Sequence, residues 1–539
     1  MSFIVSHDFI KATQHSELNP YRERVAREEE VSQGFVKTTE MEIEPRQLSL
    51  DALQDMARVA EKLADIKSKS AVEAILLARD GEFDAPIPNF KAFSSTLEAY
   101  LKHKLIDGWL YFKKADGKFY PALVTDFTYK PATAHAEESM VVHVCHLSPN
   151  LKKGYYGFEH DYIAFHPGDV NKKRINEALE LKHVYKETPQ LKAEYEASYA
   201  RYCREIRDQF SEQFIARGPI YTSKEQINAD GSAIDVKVIH DMPASDVKTY
   251  SQLRESVLAD GEDNVLPLPE WSLLRVFNLK THAFLWIHSD YLSHYQYDKT
   301  LKDKLILPKT HHDLLDVLTT NVDVFSGDII EGKTAGNVIL CKGVPGVGKT
   351  LTAEIYSELI ERPLYLLHSG SLGTNAKDIE ENLRIIFSRA ERWNCVLLLD
   401  EADVFIVPRS DNIEQNAIVA EFLRTMEYFN GLLFMTTNRP SDIDEAIISR
   451  CAAIIEYEIP TPENAARIWR VFARQYEFEL SDDLLDKLLA TFEQISPRDM
   501  KMLLRLVLRV AHKDNTEPDI ELFRQCAMFR AIKISETAI

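Results

Sequence analysis

The sequence predicts an α/β fold for the C-terminal part of the chain, a parallel sheet flanked by helices, preceded by an α+β N-terminal region with a small β-rich domain. Three observations predict it. The apolar run Val338-Ile339-Leu340 leads into GVPGVGKT, Gly343 to Thr350, and then into a helical pattern from Leu351 to Ile360. A second apolar run, CVLLLDEAD (Cys395 to Asp403), ends in adjacent carboxylates, and a third, GLLFMTTN (Gly431 to Asn438), ends in an amide. Continuous apolar runs of this length are what strands buried on both faces look like.

In chain order, residues 1–88 read as a helical N-terminal arm. Mixed charges from Arg22 to Glu30 show little periodicity, so residues 1 to 45 read as partly helical or mobile. After Ser49, a good N-cap, apolar residues recur at Leu50, Leu53, Met56, Val59, Leu63 and Ile66, the spacing of a helix or helix pair. Residues 89–216 read as a β-rich domain followed by long helices. Short β-like runs lie between Trp109 and Phe165, and Asp116-Gly117 is a hairpin signal. Lys113, Lys114, Lys118, Lys152 and Lys153 interleave there with Trp109, Tyr111, Phe119, Tyr155 and Tyr156, a pattern that a single-strand nucleic-acid surface and a plain hairpin core with a solvated rim both produce. His143, Cys145, His146 and His160 are close in sequence, but strand alternation puts His146 opposite His143 and Cys145, which disfavours a metal. From Asn171 to Ala216 the chain reads as helical, bent near Pro189, with a stripe at Leu191, Tyr195, Tyr199, Tyr202, Ile206, Phe210 and Phe214. Residues 217–305 form a β-containing connection.

The cassette motifs follow. Gly343, Pro345, Gly346, Val347, Gly348, Lys349, Thr350 and Leu351 make a phosphate cradle, in which glycines let backbone N–H groups curl around an anion at a helix N-terminus. Lys349 would reach the β- and γ-phosphates, while Thr350 and Asp400 would hold Mg²⁺. Glu401 is placed to activate the attacking water and Asn438 to position it. Arg450 closes a helix-like segment as a candidate arginine finger toward a neighbouring subunit, and Arg498 starts a helix that can sense nucleotide from a lid.

In this order and spacing, GVPGVGKT, LLLDEAD, TTNRP, Ser449-Arg450 and Ser496-Pro497-Arg498-Asp499 resemble the Walker A, Walker B, sensor 1, arginine-finger and sensor 2 elements of AAA+ ATPases. The resemblance runs from about Ile306 to the C-terminus. DIIEGK, ERPLYLLHSGSLGT and RWNCVLLLDEADVFIVPRS are similar to a branch of AAA-type ATPase core proteins in which a long divergent N-terminal region precedes one cassette. It implies a large α/β subdomain over 306–460 and a helical lid over 461–539. It also implies Asp328 and Ile329 at the adenine pocket, ATP and Mg²⁺ as cofactors, and assembly as a homo-oligomeric ring, commonly a hexamer. Two departures stand out. Where many AAA+ translocases carry an aromatic-hydrophobic-glycine pore loop, this chain has Gly373-Thr374-Asn375-Ala376-Lys377, and a single arginine stands where many members carry a pair.

Composition bounds the role. Hydrophobic residues at 45% and charged residues at 27% are those of an ordinary globular chain, and a net charge of -20 argues against coating nucleic acid non-specifically. Six scattered cysteines without a C-x-x-C pair suggest a reducing compartment, and no apolar run approaches a membrane span, so the cytoplasm is expected. The first expectation is an ATP-hydrolysing ring that remodels a protein client or complex chosen by the N-terminal region. The alternatives are a nucleic-acid-directed ATPase using the β-rich region, and a nucleotide-gated assembly scaffold.

Overall fold

The computed structural model describes residues 3–31, 40–132, 136–150, 155–221, 235–242, 253–259, 264–320, 337–373, 376–409 and 413–535. The start of the chain is packed, contrary to the expected arm. Strand Phe3–Ser6 pairs antiparallel with Glu40–Ile43. Phe3, Phe9, Ile10, Leu18 and Val25 are buried in one core with helices Leu50–Lys62, Ile66–Arg79 and Phe90–Lys102. These anchors are too widely spaced to show a period, and the strand pair closes over about 40 residues, so nothing local announces it. Ser49 caps its helix by accepting from the Ala52 N–H at 3.3 Å.

Two five-stranded antiparallel sheets follow. The first has the order Tyr155–Phe165, Ser139–Asn150, Phe119–Lys130, Trp109–Lys113, Val184–Lys186. The second has the order Phe284–His288, Leu273–Asn278, Val236–His240, Gln213–Ala216, Leu292–His294. Apolar faces of both enclose a core with helix Pro189–Glu205, in which Trp109, Tyr111 and Tyr156 are buried. Those three rings are therefore not available to stack on bases; Lys152 and Lys153 lie outside the described residues. His146 stacks on Trp271 at 4.0 Å and points Nε2 at Asp161, while His143 meets the Thr128 hydroxyl at 3.1 Å.

The expected helical stripe ends early. The helix stops at Glu205, Ser211 turns the chain with φ +68, and Phe214 lies in a strand that pairs with Val236–His240. The four-residue spacing of Ile206, Phe210 and Phe214 continues the helical period by coincidence, but sheet pairing claims Phe214. The second sheet thus straddles position 217.

That sheet is bolted to the C-terminal α/β unit. Ile239 and Phe277 share a core with Tyr365, Leu367 and Trp393, and the rings of Phe277 and Trp393 lie 4.6 Å apart. Beside them the buried Asp241 carboxylate takes Arg275 at 2.8 Å, the Trp393 indole N–H at 2.8 Å and the Arg392 guanidinium. A second tie joins Glu358, in the last turn of the phosphate-loop helix, to the Tyr295 hydroxyl at 2.6 Å and Lys237 at 3.3 Å. Breaking a buried charge cluster from one side costs about 3–5 kcal/mol. Asp241→Ala is accordingly expected to lower the thermal midpoint and expose the junction to protease; an unchanged melting curve would show that the cluster carries no docking energy.

The α/β unit is a parallel sheet in the order Leu364–His368, Val396–Asp400, Leu432–Thr437, Asn337–Gly343, Ala453–Tyr457. Helices Lys349–Leu359, Ala376–Arg392 and Ile413–Glu427 flank it. Helices Pro462–Gln475, Asp482–Thr491, Pro497–Asp514 and Ile520–Met528 follow, gathered around their own core of Trp469, Leu488, Leu503 and Phe523.

Candidate nucleotide site

Parallel strands leave a crevice at their carboxyl ends where strand order jumps. Here Asn337–Gly343 enters the loop, Val396–Asp400 lies two strands away, and Leu432–Thr437 fills the position between. Every candidate residue at a strand end therefore faces one cleft. The loop needs its glycines for separate reasons. Gly343 has φ +148, and a Cβ there would sit 2.2 Å from the Tyr457 carbonyl oxygen. Gly346 has φ +83 and lies against Arg498 and Ser496, leaving 2.8 Å for a Cβ. Gly348, at φ +105, caps the helix that starts at Lys349, so free N–H groups and the positive helix end face the loop. Val347 is buried, whereas Pro345 and Leu351 are exposed at the rim.

Lys349 is buried, and burial pulls its ammonium below the usual lysine range. Its three N–H groups donate to the Gly343 carbonyl at 2.8 Å, the Val344 carbonyl at 2.7 Å and Asn438 Oδ1 at 2.9 Å. That last bond brings together two residues 89 positions apart in the chain. Thr350 donates to Asp400 Oδ1 at 2.8 Å. A hydroxyl beside a carboxylate is the hard-oxygen pair that would suit Mg²⁺. Among the described residues, no group of three or more His, Cys, Asp or Glu side chains is arranged to hold a metal ion.

Thr436 is a residue that the motif reading passed over. Its hydroxyl donates to Asp400 Oδ1 at 2.6 Å and accepts the Glu401 N–H at 3.0 Å, and its carbonyl accepts the Ala402 N–H at 2.9 Å. Glu401 is thereby held at φ +53, a left-handed conformation that costs of order 1–3 kcal/mol away from glycine, with its side chain exposed. The available signal was the first threonine of TTN, two residues before Asn438. Thr437 likewise donates to Asp403.

Arg498 reaches the loop from the helical bundle: its backbone N–H donates to the Gly346 carbonyl at 3.1 Å. Arg450 is elsewhere. It follows helix Glu445–Ile448, donates to the Ala446 carbonyl at 3.1 Å and to Glu427 at 3.3 Å, and stands where Ala452 N–H meets the Val338 carbonyl. Val338 and Gly343 are five residues apart on one strand, roughly 16 Å at 3.3 Å per residue. Arg450 is thus carried at the end of the sheet opposite its own phosphate loop. Asp328 and Ile329 lie outside the described residues.

The profile of the ATPase family associated with various cellular activities (AAA) matches residues 339–459, which is this strand-and-cleft unit. Residues 339–459 are an AAA-family ATPase domain. The chain is similar to the ATPase family AAA domain-containing protein FIGL1 of Arabidopsis thaliana, 29% identical over 192 residues that make up 33% of this chain and 28% of that protein. It is similar as well to Fidgetin-like protein 1 of Caenorhabditis briggsae, at 26% identity over 38% of this chain and 34% of that one. A putative 26S proteasome regulatory subunit homologue of Methanocaldococcus jannaschii matches at 27% identity over 32% of this chain and 48% of that one. The chain thus spans less than half the length of each of these relatives. The crystal structure of the FIGL-1 AAA domain in complex with ADP aligns with 44% of this chain and 86% of that one, at 20% identity and a TM-score of 0.36. Among the described residues, no helix is long and apolar enough to cross a membrane.

Proposed function

We propose that this AAA domain hydrolyses ATP with Mg²⁺, that copies of the chain assemble as a ring, commonly a hexamer, and that the cycle remodels a protein client or complex selected by the N-terminal region in the cytoplasm. The observation that carries the reading is the convergence of Lys349, Thr350, Asp400, Glu401 and Asn438 on one cleft while Arg450 stands at the far end of the same sheet. Phosphoryl transfer depends on positioning and charge neutralisation, and these residues divide that work. The loop N–H groups and Lys349 bind the β- and γ-phosphates. Thr350 and Asp400 would hold Mg²⁺, which supplies further charge neutralisation at those phosphates. Glu401 takes the proton of the attacking water, Asn438 fixes that water, and Arg450 of a neighbouring copy meets the developing charge. Asp328 and Ile329 would line the adenine pocket, and Arg498 reports nucleotide to the lid through its contact with Gly346. The GTNAK sequence lacks an aromatic grip, which favours force delivered through the docked N-terminal sheets over threading of a chain. The burial of Trp109, Tyr111 and Tyr156 counts against the nucleic-acid-directed alternative.

The test is phosphate release by the full chain. Turnover that needs Mg²⁺, and that Lys349→Ala abolishes together with nucleotide binding, is the expected result. Binding without turnover in the assembled state would instead favour a nucleotide-gated scaffold.

A further inference from the structure

Away from the nucleotide cleft, a cavity of about 360 Å³ opens where the two antiparallel sheets meet helix Pro189–Glu205. Small-molecule sites run from about 300 to 1,000 Å³, so this one has room for a side chain with a short piece of backbone. Its charge is one-sided. Asp116, Glu194 and Asp290 line it against the single ammonium of Lys118. Lys118 is already matched, bonding Asp290 at 2.6 Å and lying 5.4 Å from the centre of the Tyr291 ring. The nearby Arg201, 3.9 Å from Asp290, is matched by Glu205 at 3.1 Å. Carboxylate beside aromatic face is the arrangement that attracts a cation, and within this wall it already holds one.

A neutral group completes the lining. His288 is buried, and its Nδ1 accepts the Asp290 backbone N–H at 3.2 Å, so Nε2 carries the ring proton. That N–H has no hydrogen-bond partner among the described residues. Burial pulls the imidazole down to about 4, so it adds a donor to the cavity but no positive charge at neutral pH.

We propose that this cavity receives an arginine or lysine side chain from a peptide segment of the client, its charge facing Glu194 and the Tyr195 ring while the adjoining carbonyl accepts from His288 Nε2. The net charge of -20 favours the approach of such a segment. The proposal rests on the reading of the N-terminal region as the part that selects a protein client.

Calorimetric titration of the full chain without nucleotide tests it, using a short arginine peptide, the same peptide with neutral citrulline, and spermidine. The arginine peptide should bind, with affinity falling as salt is raised, and the citrulline peptide should bind about tenfold or more weakly, the equivalent of 1.4 kcal/mol. Glu194→Gln, at an exposed position, should weaken the arginine peptide several-fold. Ser198→Arg, which would pair with Asp290 and fill the cavity, should abolish binding; near-ultraviolet circular dichroism checks that each variant is folded. Equal binding of the two peptides, undiminished binding by folded Ser198→Arg protein, or no binding at all would overturn the proposal. Binding of spermidine without the peptide would assign the cavity to free polyamines and overturn the peptide assignment. Because no ATP is present, failure here leaves the hydrolysis reading standing, and loss of turnover alone leaves this one standing.

Discussion

Glu401→Gln protein is expected to hold ATP as tightly as the unaltered chain while releasing phosphate about 10²–10⁴-fold more slowly, the usual worth of a positioned general base. The substitution keeps the size of the side chain and leaves untouched the backbone that sets its direction. The N–H of residue 401 still meets the Thr436 hydroxyl, and the left-handed turn at φ +53 is set by that strand rather than by the carboxylate. Only the capacity to accept a proton is lost. Equilibrium binding of ATP and steady-state phosphate release, measured on the same preparation, separate the two effects. Turnover at the unaltered rate would assign the base to another residue, and a matching loss of binding would mean that Glu401 supports the loop instead of the water.

Arg450→Ala is expected to cost about 10³-fold or more in turnover, the range associated with arginine fingers, again with ATP binding retained. The position explains why. Roughly 16 Å of strand separates Arg450 from its own phosphate loop, and in the free chain its guanidinium is parked on Glu427 and the Ala446 carbonyl. A side chain held there does not reach the phosphate loop of its own subunit. Lysine at the same place should fail to restore activity, since a point charge lacks the planar fork that spans two phosphate oxygens. With one arginine in the segment Ser449-Arg450-Cys451, no neighbouring residue of the same kind is at hand to share the loss.

Much of the nucleotide cleft was legible because its chemistry is written in contiguous residues. GVPGVGKT, LLLDEAD and TTN each declare a strand end and the group it presents, and the parallel sheet brings Lys349 to Asn438 and Thr350 to Asp400. Thr436 escaped notice because its role is a contact between strands, holding the Asp400–Glu401 turn from a neighbour. The N-terminal half was harder for the same reason on a larger scale. The pairing of Phe3 with Ile43 depends on chain closure over a long interval, and no period in the intervening sequence signals it. Phe214 followed a helical spacing by chance and was claimed by a sheet whose other strands lie far downstream. Asp241 is an ordinary acid in sequence, and only the packing of two domains makes it a buried ion holding Arg275, Arg392 and Trp393. Local chemistry is legible from the chain; long-range burial is a property of the assembled fold.

In the proposed mechanism one functional site is built from two copies of the chain. It is tested most directly by mixing Arg450→Ala protein with Glu401→Gln protein, each nearly inactive alone, and measuring phosphate release across a series of ratios. In mixed assemblies the intact cleft of an Arg450→Ala subunit meets the intact Arg450 of its Glu401→Gln neighbour. Turnover should therefore rise well above either parent and peak at intermediate ratios. Activity that never exceeds the sum of the two parents, in preparations shown to exchange subunits, would contradict a site shared between copies.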